Sequence, residues 1–359
     1  MMPNMLGFKV FPRVLLAMLL VASIPMLGLW YLSIYKAQQE WQRTIDLNLS
    51  RAAQALQDRL DTWVTMHYYL LKENAALADI ISMDPARQKP ILQAMKTTYH
   101  WTYLAFTITP DGRNVSRSDD NPPINYGDRR YVQQVVQGKS MSHEVVISRT
   151  TGKPAFALSV PIHDSRQNLV GVMALSSALD EVSKATAAIP IGNTGFAIVL
   201  DDASKVIAHG KPERVQETLQ DFSTHPLLQQ GIKDTSIVFD ENGKRMIGYL
   251  KNTPQGWSIL VQQDYNDAFS ALREAKWQAL LLLASTLLLV TIAALLLAHR
   301  LVHPIQTLTA VAEDISQGKV DLGTAIEEAR RKDEIGALAR AIERLSISLR
   351  MTFDNRPSQ

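Results

Sequence analysis

The sequence predicts an α+β protein that is held in a membrane by two helices, and three observations support this. The run at 279–298 has twenty residues without a charge, and the run at 14–35 has twenty-two. About 20 apolar residues rising 1.5 Å each span a hydrocarbon core of roughly 30 Å, whereas a buried soluble helix is usually shorter and keeps a polar face. Between the two runs, short apolar segments alternate with turn residues, as is typical of strands.

Composition excludes several classes of function. The 359 residues are 46% hydrophobic and 20% charged, with 37 basic and 35 acidic residues and a net charge of +2. This balance shows no basic excess, so nucleic acid is not an expected partner. The chain has no cysteine, which excludes disulfides, thiolate chemistry and cysteine-bearing zinc sites. Its length leaves room for two or three domains.

A cleaved secretory signal is the alternative interpretation of the first apolar run, 14–35. A signal has an apolar region of about 7 to 15 residues that ends in a small-x-small site. This run is longer and ends in aromatic residues, including Trp30 and Tyr31, which suit the interface between bilayer and water. We therefore expect transmembrane helix 1 at 14–35 and transmembrane helix 2 at 279–298.

Basic residues flank the outer ends of both spans. Lys9 and Arg13 precede the first, and Arg300 follows the second. Because cytoplasmic flanks carry the excess of Lys and Arg, both termini are expected in the cytoplasm, including the N-terminal segment 1–13. Residues 36–277 would then form a periplasmic domain of a protein in the cell inner membrane, since a loop of this length is a folded domain.

The segment 36–85 is predicted to be one long helix. No Gly or Pro occurs between Gly28 and Pro85, and apolar residues recur every three or four positions. The stripe of this helix is compatible with a seam between two copies of the chain and equally with a core alone. The residues of the stripe are Trp41, Ile45, Leu49, Ala52, Leu56, Leu60 and Trp63.

Beyond this helix the pattern predicts two similar α+β modules, at 86–180 and 181–270. Helical spacing at 129–137 and 222–230 gives each module an inserted helix. The predicted strands of the first module are 103–109, 113–117, 155–160 and 169–175, and those of the second are 196–200, 206–209, 235–240, 245–250 and 257–262.

Several short motifs follow the long helix in a fixed order. They are Asp-Arg-Arg-Tyr at 128–131, Gly-Lys at 138–139, Thr-Gly-Lys-Pro at 151–154, Ser-Val-Pro-Ile at 159–162 and Ile-Pro-Ile-Gly-Asn-Thr-Gly-Phe at 189–196. In this order and spacing, residues 36–270 resemble the double Cache (dCache) sensor domains of bacterial receptors. The resemblance implies a PAS-like fold with a ligand pocket in the membrane-distal module, 86–180, and a membrane-proximal module, 181–270, that is usually empty.

The segment 128–131 is similar to the Asp-Arg-Pro-Tyr-Phe stretch of Cache sensors, several of which bind carboxylates. A guanidinium offers a planar donor fork that matches a carboxylate, and a tyrosine hydroxyl adds a directional hydrogen bond. Arg129 and Tyr131 are therefore the main candidates, and both can serve one pocket only if the segment starts in a loop. Further candidates are Tyr126, Asp128, Arg130, Lys153 and Ser159.

Two other considerations bear on these residues. An Asp-Arg pair at a helix start is often only an N-cap with a solvated arginine. The amino-acid-binding subset of the family has an Arg-x-Trp-Tyr pattern, which would place Arg at Asp128 and Trp at Arg130. This departure speaks against an α-amino acid, so a small anionic, carboxylate-like ligand is expected.

After the second span, apolar residues fall at heptad positions, and the sequence Asp-Glu-Ile-Gly occurs at 333–336. With these features the segment 299–352 resembles the HAMP relay. Two short amphipathic helices cannot each bury a seam alone, and the resemblance implies a parallel four-helix coiled coil in a homodimer, followed by a tail at 353–359. The signalling residues of this segment are Pro304, Ile305, Leu308, Ile315, Gly318, Asp333, Glu334, Ile335, Gly336, Leu338, Ile342 and Leu345.

No motif for catalysis or cofactor binding is present. The chain has no Walker loop, Gly-x-Ser-x-Gly elbow or His-Glu-x-x-His, and its eight histidines are dispersed. His303 is interpreted as a HAMP-entry residue rather than a phospho-acceptor. A non-enzymatic transmembrane receptor, with a small-molecule ligand and a cytoplasmic signalling partner, is therefore expected. The alternative is the input half of a longer chemoreceptor or signalling enzyme, such as a histidine kinase, diguanylate cyclase or phosphatase; a periplasmic enzyme is disfavoured.

Overall fold

The computed structural model describes residues 10–211, 219–317 and 328–354. The chain forms two compact units. One is Gln39–Ala271, and the other combines Met1–Gln38 with Leu272–Gln359. The helices are α1 Val10–Ala75, α2 Ala78–Ile81, α3 Pro85–Thr98, α4 Arg130–Val136, α5 Asp180–Ala187, α6 Pro226–Gln229, α7 Tyr265–Ala268, α8 Ser270–Ser316 and α9 Glu334–Asp354.

The strands build two antiparallel sheets of five strands each, in the orders β2-β1-β5-β4-β3 and β7-β6-β10-β9-β8. The two orders are equivalent, so the two sheets have the same topology. The strands are β1 Thr102–Ile108, β2 Asn114–Arg117, β3 Ser142–Ile147, β4 Pro154–His163, β5 Leu169–Ala178, β6 Phe196–Leu200, β7 Val206–His209, β8 Ser236–Glu241, β9 Lys244–Asn252 and β10 Ser258–Asp264.

One face of α1 is the shared core of both modules. Its side chains pack with residues from both sheets into a single apolar cluster. The members of this stripe that are at most 5% exposed are Ile45, Leu49, Ala53, Leu56, Leu60, Val64 and Leu71. Trp41 and Trp63, which the spacing also placed on this face, are only partly buried.

The long helix ends ten residues earlier than the sequence predicts, at Ala75 rather than at position 85. Leu77 has an extended backbone, with φ −69° and ψ 136°, and α2 begins after it. The turn brings Ile80 into the core, where it is 0% exposed, and the Gln88 side chain donates to its carbonyl at 2.7 Å. Burial of Ile80 therefore ends the helix at Ala75, although the sequence has no Gly or Pro between Gly28 and Pro85.

Each sheet carries a further core on its other face. In the distal module, α4 covers a cluster that includes Phe106, Tyr131 and Val132. In the proximal module, α6 covers a cluster around Leu227 and Phe239. The face of each sheet that lies opposite α1 is therefore the one on which a small inserted helix closes over the strands.

The unit that contains the apolar runs has two helices long and apolar enough to cross a membrane, within α1 and α8. Their large side chains are exposed in the single chain: Leu281 and Leu289 are each 66% exposed. Such a surface is stable only when lipid or another apolar surface covers it. Helix α8 continues without interruption through Pro304.

Asp267, in α7, holds a loop of the proximal module immediately before α8. Its carboxylate accepts hydrogen bonds from Gln263 Nε2 at 2.7 Å and from the backbone and side chains of Asn193 and Thr194 at 3.0 Å. Gly192 has φ +52°, and a Cβ there would lie 2.0 Å from Gln263 Nε2. Burial raises the pKa of Asp267, but these hydrogen bonds outweigh burial and hold the pKa well below its ordinary value.

We predict that Asp267→Asn lowers the free energy of unfolding at pH 7 by about 2 kcal/mol, because several donors lose a charged acceptor. The depressed pKa of Asp267 stabilises the fold above the unfolded carboxyl pKa, and this contribution is lost as pH falls through the folded pKa. The variant should therefore lose less stability between about pH 5 and pH 2. Thermal unfolding against pH measures this, with the exposed Asp240→Asn as control. Parallel pH profiles for wild type and Asp267→Asn would contradict it.

Candidate functional site

A buried guanidinium organises the distal module at the end of β2. Arg117 is 4% exposed. Its Nε and Nη2 donate to the Asp119 carboxylate at 2.7 and 2.8 Å, Nη1 donates to the Tyr126 hydroxyl at 2.9 Å, and Nη2 donates to Thr150 Oγ1 at 3.0 Å. Burial raises the pKa of Asp119, but the bonds from Arg117 outweigh burial and leave the pKa below its ordinary value. The pair is charged, and its geometry is fixed.

Three tyrosines lie near this group, and one of them, Tyr131, belongs to α4. Tyr126 and Tyr131 are 4% and 2% exposed, and Tyr103 packs beside them. The Tyr103 hydroxyl is buried and has no hydrogen-bond partner among the described residues. Burial raises the pKa of Tyr103, and the facing hydroxyls of Ser148 and Ser176 oppose part of this rise. The Tyr103 hydroxyl is therefore a buried donor that has the hydroxyls of Ser148, Ser176 and Thr151 close to it but makes no hydrogen bond of good geometry among the described residues.

Arg129 brings a second cation to the same place. It precedes α4 with an extended backbone, φ −80° and ψ 129°, so the segment starts as a loop, the condition under which Arg129 and Tyr131 can serve one pocket. Its Nη2 donates to the Ile147 carbonyl at 3.1 Å. Burial raises the pKa of Tyr131, and the charge of Arg129 opposes that rise. No described carboxylate forms an ion pair with Arg129.

The neighbours of Arg129 are engaged elsewhere. Asp128 pairs with Arg149 at 2.5 Å. The alternative in which Asp128 caps the helix is wrong, because Arg129 is the N-cap residue and no side chain caps the helix there. Arg130 turns toward the proximal module, where its guanidinium binds the Asp202 carboxylate in a bidentate pair and lies 3.8 Å from Glu144.

The other predicted ligand residues have structural positions. Ser159 is fully buried and donates to the backbone carbonyl of Tyr131 at 2.7 Å, so it holds α4 on the sheet. Lys153 is exposed in the turn between β3 and β4. The structure therefore brings Arg129, Tyr131 and Tyr126 together and places Lys153 at the periphery.

Sequence reasoning missed Arg117, Asp119, Thr150 and Tyr103. Arg117 was assigned only as the end of a strand, and an arginine at a strand end is usually exposed. The one local signal was the acidic residue two positions later, which forms the ion pair. Thr150 and Tyr103 come from other elements, and only the fold brings them near Arg117.

A polar cavity of about 210 Å³ lies between the two modules. Arg130 and Asp202 form part of its wall, together with His143, Glu144 and Trp257. The His143 ring packs against Trp257 at 5.5 Å, and burial lowers the pKa of His143. The residues described contain no group of three or more His, Cys, Asp or Glu side chains that could hold a metal ion.

In the single chain, some of the predicted HAMP residues are buried and others are exposed. Pro304 is buried and Leu308 is 1% exposed, whereas Ile305, Leu338 and Leu345 are 49%, 48% and 59% exposed. Between these extremes, Ile315, Ile335 and Ile342 are half-buried. Gly318 lies outside the described residues. A single chain thus leaves part of the apolar seam open.

The Asp-Glu-Ile-Gly segment at 333–336 has a defined local structure. Asp333 binds Arg331 Nη2 at 2.7 Å and accepts from the Gly336 N–H at 3.0 Å. A Cβ at Gly336 would lie 2.0 Å from the Arg331 carbonyl oxygen, so only glycine allows this approach. Glu334 and Ile335 then begin α9.

We predict that Arg117→Met destabilises the protein by about 3 kcal/mol, because Asp119 stays in the interior without its partner. The side chains of this pair are 3% and 13% exposed. Arg113→Ala is the control, since Arg113 and Asp111 are 73% and 59% exposed and such pairs contribute about 0 to 1 kcal/mol. Chemical denaturation measures both variants, and equal effects would contradict a structural role for Arg117.

Comparison with known proteins places these features in a family. Residues 35–272 match the dCache_1 family, Cache domain, and residues 296–351 match the HAMP domain. The chain is 25% identical to the methyl-accepting chemotaxis protein McpA of Bacillus subtilis over 296 residues. This match covers 82% of the present chain and 42% of McpA. The chain spans about half the length of the curated relatives it matches.

Solved structures agree in fold. The ligand-binding domain of Mlp24 with asparagine gives a TM-score of 0.54 at 17% identity, covering 66% of this chain and 99% of that one. The ligand-binding domain of the Pseudomonas fluorescens chemoreceptor CtaA in complex with L-serine gives 0.52 at 16%, covering 62% and 99%. Because the Cache match covers more than half of the chain and the HAMP match follows it, this protein belongs to the double Cache sensor family and carries a HAMP domain.

Proposed function

We propose that this protein is a transmembrane receptor of the inner membrane whose distal module binds a small carboxylate ligand. The guanidinium of Arg129 carries the proposal, because it has no described carboxylate partner and stands beside the buried Tyr131. A guanidinium at the edge of a buried polar group can donate two charge-assisted hydrogen bonds to a planar carboxylate. The unpartnered Tyr103 hydroxyl supplies a further hydrogen bond.

The class of ligand follows from the charges around the site. Arg117 is already neutralised by Asp119, and Asp128 by Arg149, so Arg129 supplies the remaining positive charge. The related structures were solved with asparagine and L-serine, which carry a carboxylate. Amino acids therefore enter the test beside simple carboxylates, although the segment 128–131 lacks the Arg-x-Trp-Tyr pattern.

The proposed topology places residues 36–277 in the periplasm and both termini in the cytoplasm, with two spans at 14–35 and 279–298. The support is the basic residues outside the spans and the exposed apolar surface along them. Ligand acts through its different affinity for two states of the sensor, and α8 carries the difference from the sensor to the HAMP segment 299–352. A cytoplasmic partner receives the output.

A second candidate is the input half of a longer chemoreceptor or signalling enzyme. The observation that favours it is the length of the relatives, of which this chain matches 42% and 44%. An antibody against the sensor, used on cells that express the gene from its own locus, measures the mass of the natural polypeptide. A mass near 40.0 kDa would exclude the longer protein.

One prediction of the proposed function concerns the ligand. Full-length protein in lipid nanodiscs should be stabilised by at least one member of a panel of carboxylates and amino acids, and a ligand at 100 times its Kd adds about 2.7 kcal/mol. Arg129→Ala should abolish the shift, because a charge-assisted bond of about 1.5 to 3 kcal/mol is lost. Arg129→Lys should restore it only in part, since the donor fork is absent.

Arg166→Ala is the matched control for this experiment, because Arg166 is exposed in the hairpin between β4 and β5 of the same module. It should leave the shift unchanged. Stabilisation by neutral sugars and not by carboxylates would make the assignment of the ligand wrong. A carboxylate shift that survives Arg129→Ala would place the ligand elsewhere.

Another prediction of the proposed function concerns assembly. The chain has no cysteine, so single-cysteine variants report one position each. Ile305→Cys and Leu345→Cys should crosslink identical chains in membranes, because both positions are open in the single chain and lie on the heptad seam. Ala310→Cys, on the opposite side of α8, is the control and should crosslink weakly. Equal yields at all three positions would contradict a HAMP dimer.

A further inference from the structure

A turn aspartate of the proximal module lines the polar cavity between the two modules. Asp201 follows β6, and its Oδ1 accepts hydrogen bonds from the backbone N–H groups of Ala203 at 2.9 Å and Lys205 at 2.8 Å. These bonds fix the turn that leads into β7. Asp201 is 8% exposed and belongs to the wall of the cavity. The fold therefore holds a carboxylate in a buried position beside the cavity.

Asp164 makes the same turn in the hairpin between β4 and β5, and it shows what is different at Asp201. Its Oδ1 accepts from the backbone N–H groups two and four residues later, both at 2.8 Å, and its Oδ2 accepts from Asn168 Nδ2 at 3.0 Å. Hydrogen bonds from the side chain and backbone of Asn168 lower the pKa of Asp164, whereas burial raises the pKa of Asp201. Oδ2 of Asp201 accepts no hydrogen bond from the residues that the structure describes and is not fully enclosed. One oxygen of Asp201 thus forms the turn, and the other stays accessible.

His143 lines the same cavity from the distal module. It lies in β3, and its ring packs against Trp257 at 5.5 Å and against Phe156 at 5.8 Å. Burial lowers the pKa of His143, so the ring is neutral at pH 7, with one nitrogen that accepts and one that donates. Neither nitrogen is hydrogen-bonded to a described residue, and neither is fully enclosed. The distal wall therefore offers an imidazole acceptor, and the proximal wall offers the carboxylate of Asp201.

The charges of the cavity wall favour a cation. The wall contains two cations and three carboxylates, which are Arg130, Lys139, Glu144, Asp201 and Asp202. The Arg130 guanidinium binds the Asp202 carboxylate and lies 3.8 Å from Glu144. Lys139 is exposed and forms no ion pair within the described part of the chain. Asp201 is therefore the wall carboxylate that no described cation neutralises.

The other wall residues favour an ammonium ion over a metal cation. A Ca²⁺ ion takes about six to eight oxygen ligands, and two of the three wall carboxylates are already engaged with Arg130. An ammonium ion gains from hydrogen bonds to a carboxylate and an imidazole and from an aromatic face. Trp257 supplies that face, since it lines the cavity and is 3% exposed. The volume of about 210 Å³ is several times that of a water molecule, which leaves room for carbon atoms beside the ring.

We propose that the cavity between the modules is a second ligand site, which binds a small organic ammonium ion. The ammonium donates to Asp201 Oδ2 and to the His143 ring, and its carbon atoms lie against Trp257. Because Asp201 belongs to the proximal module and His143 to the distal one, the ligand links the two modules beside the pair of Arg130 and Asp202. This site is separate from the proposed carboxylate site and takes a ligand of opposite charge.

Methylammonium is the probe, and tetramethylammonium is the matched ligand control, because it carries the same charge without an N–H donor. Saturation-transfer NMR on the full chain in lipid nanodiscs measures the binding of both. Methylammonium should bind saturably, and tetramethylammonium should bind about tenfold more weakly or not at all. Absence of saturable methylammonium binding to the wild type would overturn the proposal, and so would equal binding of the two ions.

Variants of the two wall acceptors locate the binding. Asp201→Asn keeps an Oδ1 acceptor for the turn and removes the charge, so methylammonium affinity should fall about tenfold or more. Asp164→Asn is the matched control, because Asp164 makes the same turn and is not part of the cavity wall; it should leave the affinity unchanged. His143→Phe keeps a ring against Trp257 and removes the acceptor, so it should weaken binding about threefold to tenfold. Unchanged affinity in either Asp201→Asn or His143→Phe would refute the assignment.

Two further variants separate the ligand from the protein's own side chains and from the distal site. Lys139 carries an ammonium group and also lines the cavity, so binding of methylammonium only after Lys139→Ala would mean that the lysine itself occupies the site, and the proposal would be wrong. Arg129→Ala should leave methylammonium binding intact, and Asp201→Asn should leave stabilisation by carboxylates intact. Loss of methylammonium binding in Arg129→Ala would show that the ion binds in the distal module instead.

Discussion

Packing of one face of α1 against two sheets is the interaction on which the sensor unit depends. Each buried leucine of the stripe contributes about 2 kcal/mol through the water it excludes, and the stripe extends from Ile45 to Leu71 beneath both modules. Separation of the modules from the helix would expose all of it. Structural change is therefore expected on the opposite faces of the sheets, where the short helices α4 and α6 close over polar groups.

Helix α4 begins at the point where the two modules meet. Arg129 and Tyr131 face the distal polar group, while Arg130 between them binds Asp202 of the proximal module. The extended backbone of Arg129 produces this division, since neighbouring side chains of an extended segment point to opposite sides. A displacement of this turn changes the distal site and the link between modules together, because three consecutive residues share one backbone.

The sequence predicted elements whose signal is local. Alternation and turn residues located most strands within one or two positions, and heptads located the last helices. It missed β3, whose residues include His143 and Glu144, because their burial depends on the neighbouring module. Only part of the site was predicted, because some of its residues carry a local signal and others are buried only by the fold. Arg129 and Tyr131 lie in a motif, whereas Arg117 is buried only because Asp119, Tyr126 and Thr150 converge on it.

At the end of the second apolar run, a side chain replaces a hydrogen bond that the helix lacks. Pro304 has no N–H, so the carbonyl of Arg300 loses its partner within α8. Arg331 Nη2 donates to that carbonyl at 3.5 Å, and Asp333 holds the same guanidinium. The close approach of Arg331 to Gly336 brings this contact to the first turn of α9. Arg331 therefore gives α8 at Pro304 a contact with the start of α9 in addition to the covalent chain.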